Sequence, residues 1–254
     1  MKQSTTSPHI SVVIPVYNEA EYISKCLDAL SVQTIRPDVI YIIDNNSTDD
    51  SIEIAEKYAS VVVLKQAIQG ICATVQKGFD EAVKHDGYML RCDADSRPPA
   101  DWVQKIVTTF DTQHTVSSIT GPGEVYETSS LLRFLIRWLY MKSYFVFVVL
   151  AMGETPLFGS NMAIRARVWK DMDADTHLIA HQDIHDDIDI SFHIKGYGNI
   201  HYDRSLVMPI SARPFYSVSK MIQRYIIGFR SITIHWPHSA PWVIYKEKIK
   251  RVIK

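Results

Sequence analysis

Residues 10–19 read Ile-Ser-Val-Val-Ile-Pro-Val-Tyr-Asn-Glu. From Ile10 to Val16 the run is almost wholly apolar and β-branched, the pattern of a strand buried on both faces. Tyr17, Asn18 and Glu19 end it in a polar loop. Beyond that loop Ile23, Cys26, Leu27 and Leu30 recur at three- and four-residue spacing, with Glu19 and Glu21 near the start, so an amphipathic helix follows. Val39, Ile40, Tyr41, Ile42 and Ile43 form a second buried strand, closed by Asp44, Asn45, Asn46, Ser47, Thr48 and Asp49. Strand, helix, strand with both strands buried is a parallel βαβ unit.

The alternation runs on, with a helix over 50–58, a strand over 61–64, a helix over 72–83 and a strand at Tyr88, Met89 and Leu90. The fold class is therefore α/β: a Rossmann-like, doubly wound, mostly parallel sheet in a single large domain. Such sheets bind ligands at the carboxyl ends of their strands. Three polar loops converge on that edge, at Asn18, at Asp44 and at Asp93. In the third, Asp93, Ala94 and Asp95 stand between the apolar run and Ser96, Arg97, Pro98 and Pro99. A strand that meets a Pro-rich turn holds both carboxylates at an exposed strand end, where a hard divalent cation can collect oxygen ligands. A solvated acidic turn is the plainer alternative.

After Pro99 the pattern changes to a helix over 102–110, a strand over 116–119 and a chain break at Gly121, Pro122 and Gly123. The segment Leu131 to Leu150 is apolar and aromatic but is interrupted by Arg133, Arg137 and Lys142, too often for a spanning helix, which needs roughly 20 apolar residues. It reads as a core helix or as an interfacial helix lying on a membrane. From Met221 onward Trp236, Trp242 and Tyr245 stand among Lys246, Lys248, Lys250, Arg251 and Lys254, a C-terminal helical, amphipathic extension suited to an anionic membrane surface or simply to water.

With 254 residues, 27 basic and 28 acidic side chains, the chain can bury a large core and offers no overall charge for nucleic acid, which is excluded as a partner. Cys26, Cys72 and Cys92 form no Cys-x-x-Cys pair, which points to a reducing compartment without disulfides or a zinc site of cysteines. The polar N-terminus lacks the apolar core of a signal peptide, so a cytoplasmic location is expected.

A second acidic cluster lies at Asp183, Asp186, Asp187 and Asp189. Three carboxylates within 186–189 repel one another, so at least one needs a cationic partner or a raised pKa. Asp near a helix start is also stabilising on its own account.

The run Val12, Val13, Ile14, Pro15, Val16, Tyr17, Asn18, Glu19, then Ile43, Asp44, Asn45, Asn46, Ser47, Thr48, Asp49, Asp50, Ser51, then Asp93, Ala94, Asp95 closely resembles the family 2 glycosyltransferases of the GT-A fold. Asp186, Asp187, Ile188, Asp189, Ile190 with Gly196 and Tyr197 is similar to that family's later Glu-Asp-x-Asp-Leu motif and following Gly-Tyr. The resemblance covers roughly 10–213. It implies a domain over 9–213, with a nucleotide-binding half (9–100) and an acceptor-binding half (101–213), and a C-terminal helical extension over 214–254 suited to association with a membrane.

By that resemblance Pro15, Tyr17 and Glu19 would line the nucleotide pocket and Asp44 would bond the base of a UDP- or GDP-type sugar. Asp93 would face the ribose or the metal. Asp95 would coordinate a Mg²⁺ or Mn²⁺ ion on the diphosphate, where a Lewis acid stabilises the leaving group. Asp187 would be the general base of an inverting single displacement, taking the proton of an acceptor hydroxyl. Gly159, Ser160, Asn161 and Asp186 fall where the family places acceptor-side contacts, and Arg213 could bind the diphosphate through its planar fork.

The resemblance has departures. Asp44-Asn45-Asn46-Ser47 replaces Asp-Asp-Gly-Ser, Asp186 replaces Glu, and Gln69-Gly70 stands where Asn-x-Gly is common. His181, His185 and His201 are candidates for an extra metal ligand. The expected activity is transfer from a nucleotide-diphosphate sugar to a lipid-linked or cell-envelope saccharide, at the inner face of a membrane. A metal-dependent phosphohydrolase and a non-catalytic saccharide- or membrane-binding module are the competing readings.

Overall fold

The computed structural model describes residues 7–172 and 176–253. Residues 1–6 and Lys254, read above as a polar terminus and the end of a basic cluster, lie outside the described residues.

Four strands, β1 (His9–Val16), β2 (Val39–Asp44), β3 (Val61–Lys65) and β4 (Gly87–Arg91), alternate with helices α1 (Ile23–Ser31), α2 (Ser51–Ala55) and α3 (Ile71–Ala82). β1 pairs in parallel with β2 and β4, and β2 with β3. Val16 faces Asp44, Asp44 faces Lys65, and Val13 faces Arg91, so the three polar loops leave the same edge. Then follow α4 (Trp102–Thr112), β5 (Val116–Thr120), β6 (Gly123–Val125), α5 (Ser130–Leu135), a π-helical stretch (Ile136–Met141), α6 (Lys142–Met152), β7 (Met162–Arg165), α7 (Ala166–Met172), α8 (Asp186–Ile194), β8 (Asn199–Tyr202), β9 (Met208–Ile210), α9 (Val218–Thr233) and α10 (Pro241–Ile253).

The main sheet has seven strands in the order β3-β2-β1-β4-β7-β5-β8. β7 runs antiparallel to β4 and β5, so it is the one reversed strand in an otherwise parallel sheet. β6 and β9 pair separately. Alternation along β1 divides the core: Val12, Ile14 and Val16 meet Leu27, Ile40, Ile42 and Ile106 on one face, and Val13 meets Ile43, Phe79, Met89 and Trp169 on the other. Gly78 lets α3 lie close on β1, because a Cβ there would stand 2.3 Å from Val13 Cγ1.

Three sequence expectations are corrected. The helix over 50–58 spans only Ser51–Ala55, because the amides of Lys57 and Tyr58 bond three residues back, to Ile54 and Ala55, and tighten the chain into β3. The Gly-Pro-Gly break is also the start of β6, where Gly123 lies against Phe158 and Ile210. The segment 131–150 is neither one helix nor a core helix: it is interrupted by the π-helical stretch, and Leu131, Phe134, Trp138, Val146, Phe147 and Leu150 are all about half exposed or more. Among the described residues no helix is long and apolar enough to cross a membrane.

Candidate active site

A cavity of about 1310 Å³ opens at the carboxyl edge of the sheet. The loops after β1 and β2 form one wall by locking onto each other. Asn18, in the left-handed region at φ 55°, accepts from the Thr48 amide at 2.8 Å, and the Glu19 amide donates to Ser51 Oγ at 2.7 Å. Pro15, Tyr17 and Glu19 line the cavity. Asp44 sits just behind it, buried, and accepts from the Ser47 amide at 2.9 Å. Its neighbour Asn45 does reach the cavity, with every polar atom committed: Nδ2 donates to the Gln66 and Ile68 carbonyls, and Oδ1 accepts from the Gly70 amide and from Gln69 Nε2. Gln69 and Gly70 are thereby fixed in the lining.

Glu19, Asp95 and Arg213 meet at the centre. Arg213 Nη2 lies 2.7 Å from Glu19 Oε2 and 3.0 Å from Asp95 Oδ2, and its guanidinium stacks 4.0 Å over the Tyr22 ring. Burial pushes the Glu19 carboxyl up to about 7, against the pull of Arg213. Burial, joined by the Asp93 charge, also raises Asp95. Two carboxylates that are costly to keep charged, held on one cation, form an all-oxygen donor set suited to a hard divalent ion.

Asp93 faces the other way. Its Oδ1 accepts from Arg91 Nη2 at 3.1 Å and its Oδ2 from Ser160 Oγ at 2.5 Å. Arg91, at the end of β4, is buried and donates through Nη1 to the buried Asp186. Burial works against the Arg91 charge, but Asp186 and Asp93 more than offset it and raise its pKa. Burial likewise lifts the Asp186 carboxyl to about 7, opposed by Arg91. Gly159 packs on that guanidinium, where a Cβ would lie 2.5 Å from Nη1. Arg91 gave no signal in the sequence beyond being the one charge in a buried strand.

Asp187 follows at the start of α8 and lines the cavity. Its Oδ2 accepts from the Gly159 amide at 2.8 Å and from the Tyr144 hydroxyl at 3.4 Å, and its Oδ1 from the Ile188 amide at 2.8 Å. Gly159 and Ser160 thus tie Asp187 and Asp93 to one turn. Asn161, expected on the acceptor side, is fully buried instead: it accepts from Trp102 Nε1 at 2.9 Å and donates to the Leu206 carbonyl at 2.6 Å, so it fastens the turn to the core. The far wall is apolar, built by Phe147 and Leu150 of α6, Tyr225 and Phe229 of α9, and Trp236, with Lys220 and Arg224 beside them.

His181, His185 and His201 belong to no cluster of metal-ligating side chains among the described residues. His185 lines the cavity, with Nε2 3.1 Å from the Arg224 carbonyl. A different set converges on Asp189: His177, His193 and His235. Burial works against the Asp189 charge, but the His193 and His177 rings and the His177 amide hold it well below the usual carboxylate range.

Residues 11–172, more than half of the chain, match the family model described as Glycosyl transferase family 2. Glycosyltransferase AglE of Haloferax volcanii is 33% identical over 115 residues, covering 42% of this chain and 37% of that protein. The chain thus spans about a third of that relative's length. Among solved structures, the mannosyltransferase PcManGT of Pyrobaculum calidifontis, in complex with GDP-Man and Mn²⁺, superposes with a TM-score of 0.59 at 16% identity, over 89% of this chain and 65% of that one. Glucosyl-3-phosphoglycerate synthase of Mycobacterium tuberculosis, with Mn²⁺, UDP and phosphoglyceric acid, does so at 0.60 and 17%, over 89% and 79%. These two likenesses establish the GT-A architecture of the sheet.

Proposed function

The chain belongs to glycosyl transferase family 2, and from that premise we propose that it moves a sugar from a UDP- or GDP-type donor to a hydroxyl acceptor with inversion. The observation that carries this reading is the meeting of Glu19, Asp95 and Arg213 in the cavity that Asp187 also lines. Asp95 would hold a Mg²⁺ or Mn²⁺ ion together with Glu19, and the oxygen chemistry of the cluster fits one, with Arg213 as the cation that now neutralises it; Asp93, expected as a second ligand, faces away with its oxygens on Arg91 and Ser160. When bound, that ion supplies Lewis-acid stabilisation of the departing diphosphate.

The chain's own residues account for the rest. Pro15, Tyr17 and Glu19 bind the nucleoside, with Asp44 behind them on the base side. Arg213, which lines the cavity, would bind the diphosphate through its planar fork. Asp187 accepts the proton of the acceptor hydroxyl as its oxygen attacks the anomeric carbon and the bond to the diphosphate breaks on the opposite face. Asp186 and Arg91 brace Asp93 and Asp187 from behind, and the turn at Gly159 and Ser160 sets their separation.

The acceptor is a lipid-linked or envelope saccharide in this reading. The apolar wall from Phe147 to Trp236 accommodates its lipid portion, and the exposed Leu131, Phe134 and Trp138 seat the protein peripherally on the inner face of the membrane. Melting curves with Mn²⁺ and UDP or GDP test the donor site. A nucleotide at about 100 times its Kd stabilises the fold by about 2.7 kcal/mol. The wild type shifts only when metal and nucleotide are both present, and Asp95→Ala does not shift. A metal-independent shift, or one kept by Asp95→Ala, refutes the metal assignment.

A further inference from the structure

We propose that His177, Asp189, His193 and His235 form a second metal site, for a four-coordinate transition ion of the Zn²⁺ class, separate from the diphosphate cation. The geometry is that of a closed ligand set. His177 Nδ1 lies 2.8 Å from Asp189 Oδ1, His235 Nε2 3.2 Å and His193 Nε2 3.6 Å from the same oxygen, and His193 Nε2 3.3 Å from His177 Nδ1. A tetrahedral ion with bonds of about 2.0–2.1 Å holds its ligand atoms about 3.3 Å apart. Four of the six edges of the cluster lie between 2.8 and 3.6 Å and all six within 4.8 Å, so small side-chain shifts complete the set, and its three imidazoles and one carboxylate are ligands for zinc rather than for Mg²⁺, which favours oxygen and retained water.

An independent observation comes from His235. Its side chain is 5% exposed, and its Nε2 has no hydrogen-bond partner although it points at Asp189. Its Nδ1 lies 2.8 Å from the Ser231 carbonyl, and a carbonyl can only accept, so Nδ1 carries the proton. In the neutral ring Nε2 is then a bare lone pair aimed at a carboxylate oxygen, a repulsive contact that a metal ion between them, or a second proton on the ring, removes. A ligating histidine fixed through its other nitrogen by a backbone carbonyl is the usual supporting arrangement of a metal site. Asp189 is likewise held from behind, through Oδ2, by the His177 amide at 2.9 Å.

The ligands come from three segments: His177 precedes α8, Asp189 and His193 lie on α8, and His235 follows α9. An ion there clamps the C-terminal helices onto the helix whose first turn carries Asp186 and Asp187. The site neither uses nor requires the catalytic reading given above.

The test is metal binding without nucleotide. Full-length chain stripped with chelator is titrated with Co²⁺ and with Zn²⁺, following the ligand-field absorption of cobalt, bound zinc by mass spectrometry, and Tm. The expected result is one equivalent of either ion, an intense four-coordinate cobalt spectrum, a raised Tm, and no displacement by excess Mg²⁺. His177→Gln and His193→Gln should each weaken zinc binding by at least the roughly 10–100-fold that loss of an outer-shell partner costs. Asp95→Ala should leave it unchanged. His177, about a third exposed, decides the matter if the His193 variant does not fold. Absence of stoichiometric binding overturns the proposal, as does binding that survives His177→Gln or is lost in Asp95→Ala.

Discussion

Replacing Arg91 by Met removes the cation that two acidic residues share. Arg91 is 3% exposed and Asp186 4%, so neither charge can turn to water when its partner is lost. Breaking a buried pair on one side costs about 3–5 kcal/mol, because the remaining charge stays desolvated. Asp186 softens that loss by taking up a proton: burial already raises its folded pKa, and it rises further without Arg91. The expected cost is therefore near the lower end, about 3 kcal/mol at pH 7. The sign with pH follows from the same shift. A carboxyl whose folded pKa is raised contributes stability that is complete below its unfolded value and lost as pH rises through the folded one. In the wild type Arg91 stabilises the ionised form, so the gap between wild type and Arg91→Met widens above pH 7. Arg91→Met/Asp186→Leu, with no orphaned charge, should recover most of the loss, since apolar replacement of a buried pair is often neutral. Urea unfolding followed by fluorescence of the buried Trp102 and Trp169 measures all three proteins. Arg91→Met within about 0.5 kcal/mol of wild type, the scatter of surface changes, refutes the reasoning, and so does a double variant that loses the sum of the single changes.

Glu19, raised to about 7 by burial, contributes stability that is present below about 4.5 and is lost as pH climbs through 7. Glu19→Gln lacks that dependence, so calorimetry in metal-free buffer should show its Tm gaining on the wild type from pH 5 to pH 8; a constant difference contradicts the burial argument. Gly78→Ala gains about 1 kcal/mol of helix propensity but drives a Cβ to 2.3 Å from Val13, and overpacking of about 1–3 kcal/mol should win. A Gly78→Ala protein more stable to urea than wild type would mean that α3 can move off β1 cheaply. Leu131→Ser and Phe134→Ser, at 69% and 54% exposed positions, should leave stability within about 0.5 kcal/mol. Both should weaken flotation with anionic vesicles, and undiminished flotation would remove this face from the membrane reading.

The first half of the fold is legible because β1, β2 and β4 are buried on both faces and end in polar loops, and the half-exposed edge strand β3 is still a β-branched run, so strand, helix and loop alternate without ambiguity from Ile10 to Leu90. The reversed strand β7 was not. Its four residues follow the turn at Gly159 and Ser160 with no periodicity of their own, and only pairing to β4 and β5 makes them a strand. The strand-end carboxylates could be read from their positions after apolar runs. Arg91 could not, since a charge closing a strand looks like the strand's end rather than a buried cation. Of the histidines that converge on Asp189, His193 lies one turn further along α8, but His177 and His235 lie in segments outside that helix, and only tertiary packing, α8 on α9 included, brings them in. The acidic cluster resolves for the same reason: Asp186 pairs with Arg91, Asp187 with backbone amides, and Asp189 with histidine.

Transfer itself is the decisive observation. Release of nucleoside diphosphate from UDP- and GDP-sugars, measured with Mn²⁺ and a panel of lipid-linked and free saccharide acceptors, should occur with the wild type and yield the inverted anomer. Asp187→Asn should lower kcat by about 10²–10⁴-fold, the usual worth of a positioned base, while nucleotide affinity stays within twofold to threefold, roughly the scatter of such measurements. Turnover undiminished in Asp187→Asn, or a product that retains the donor's configuration, would contradict the account.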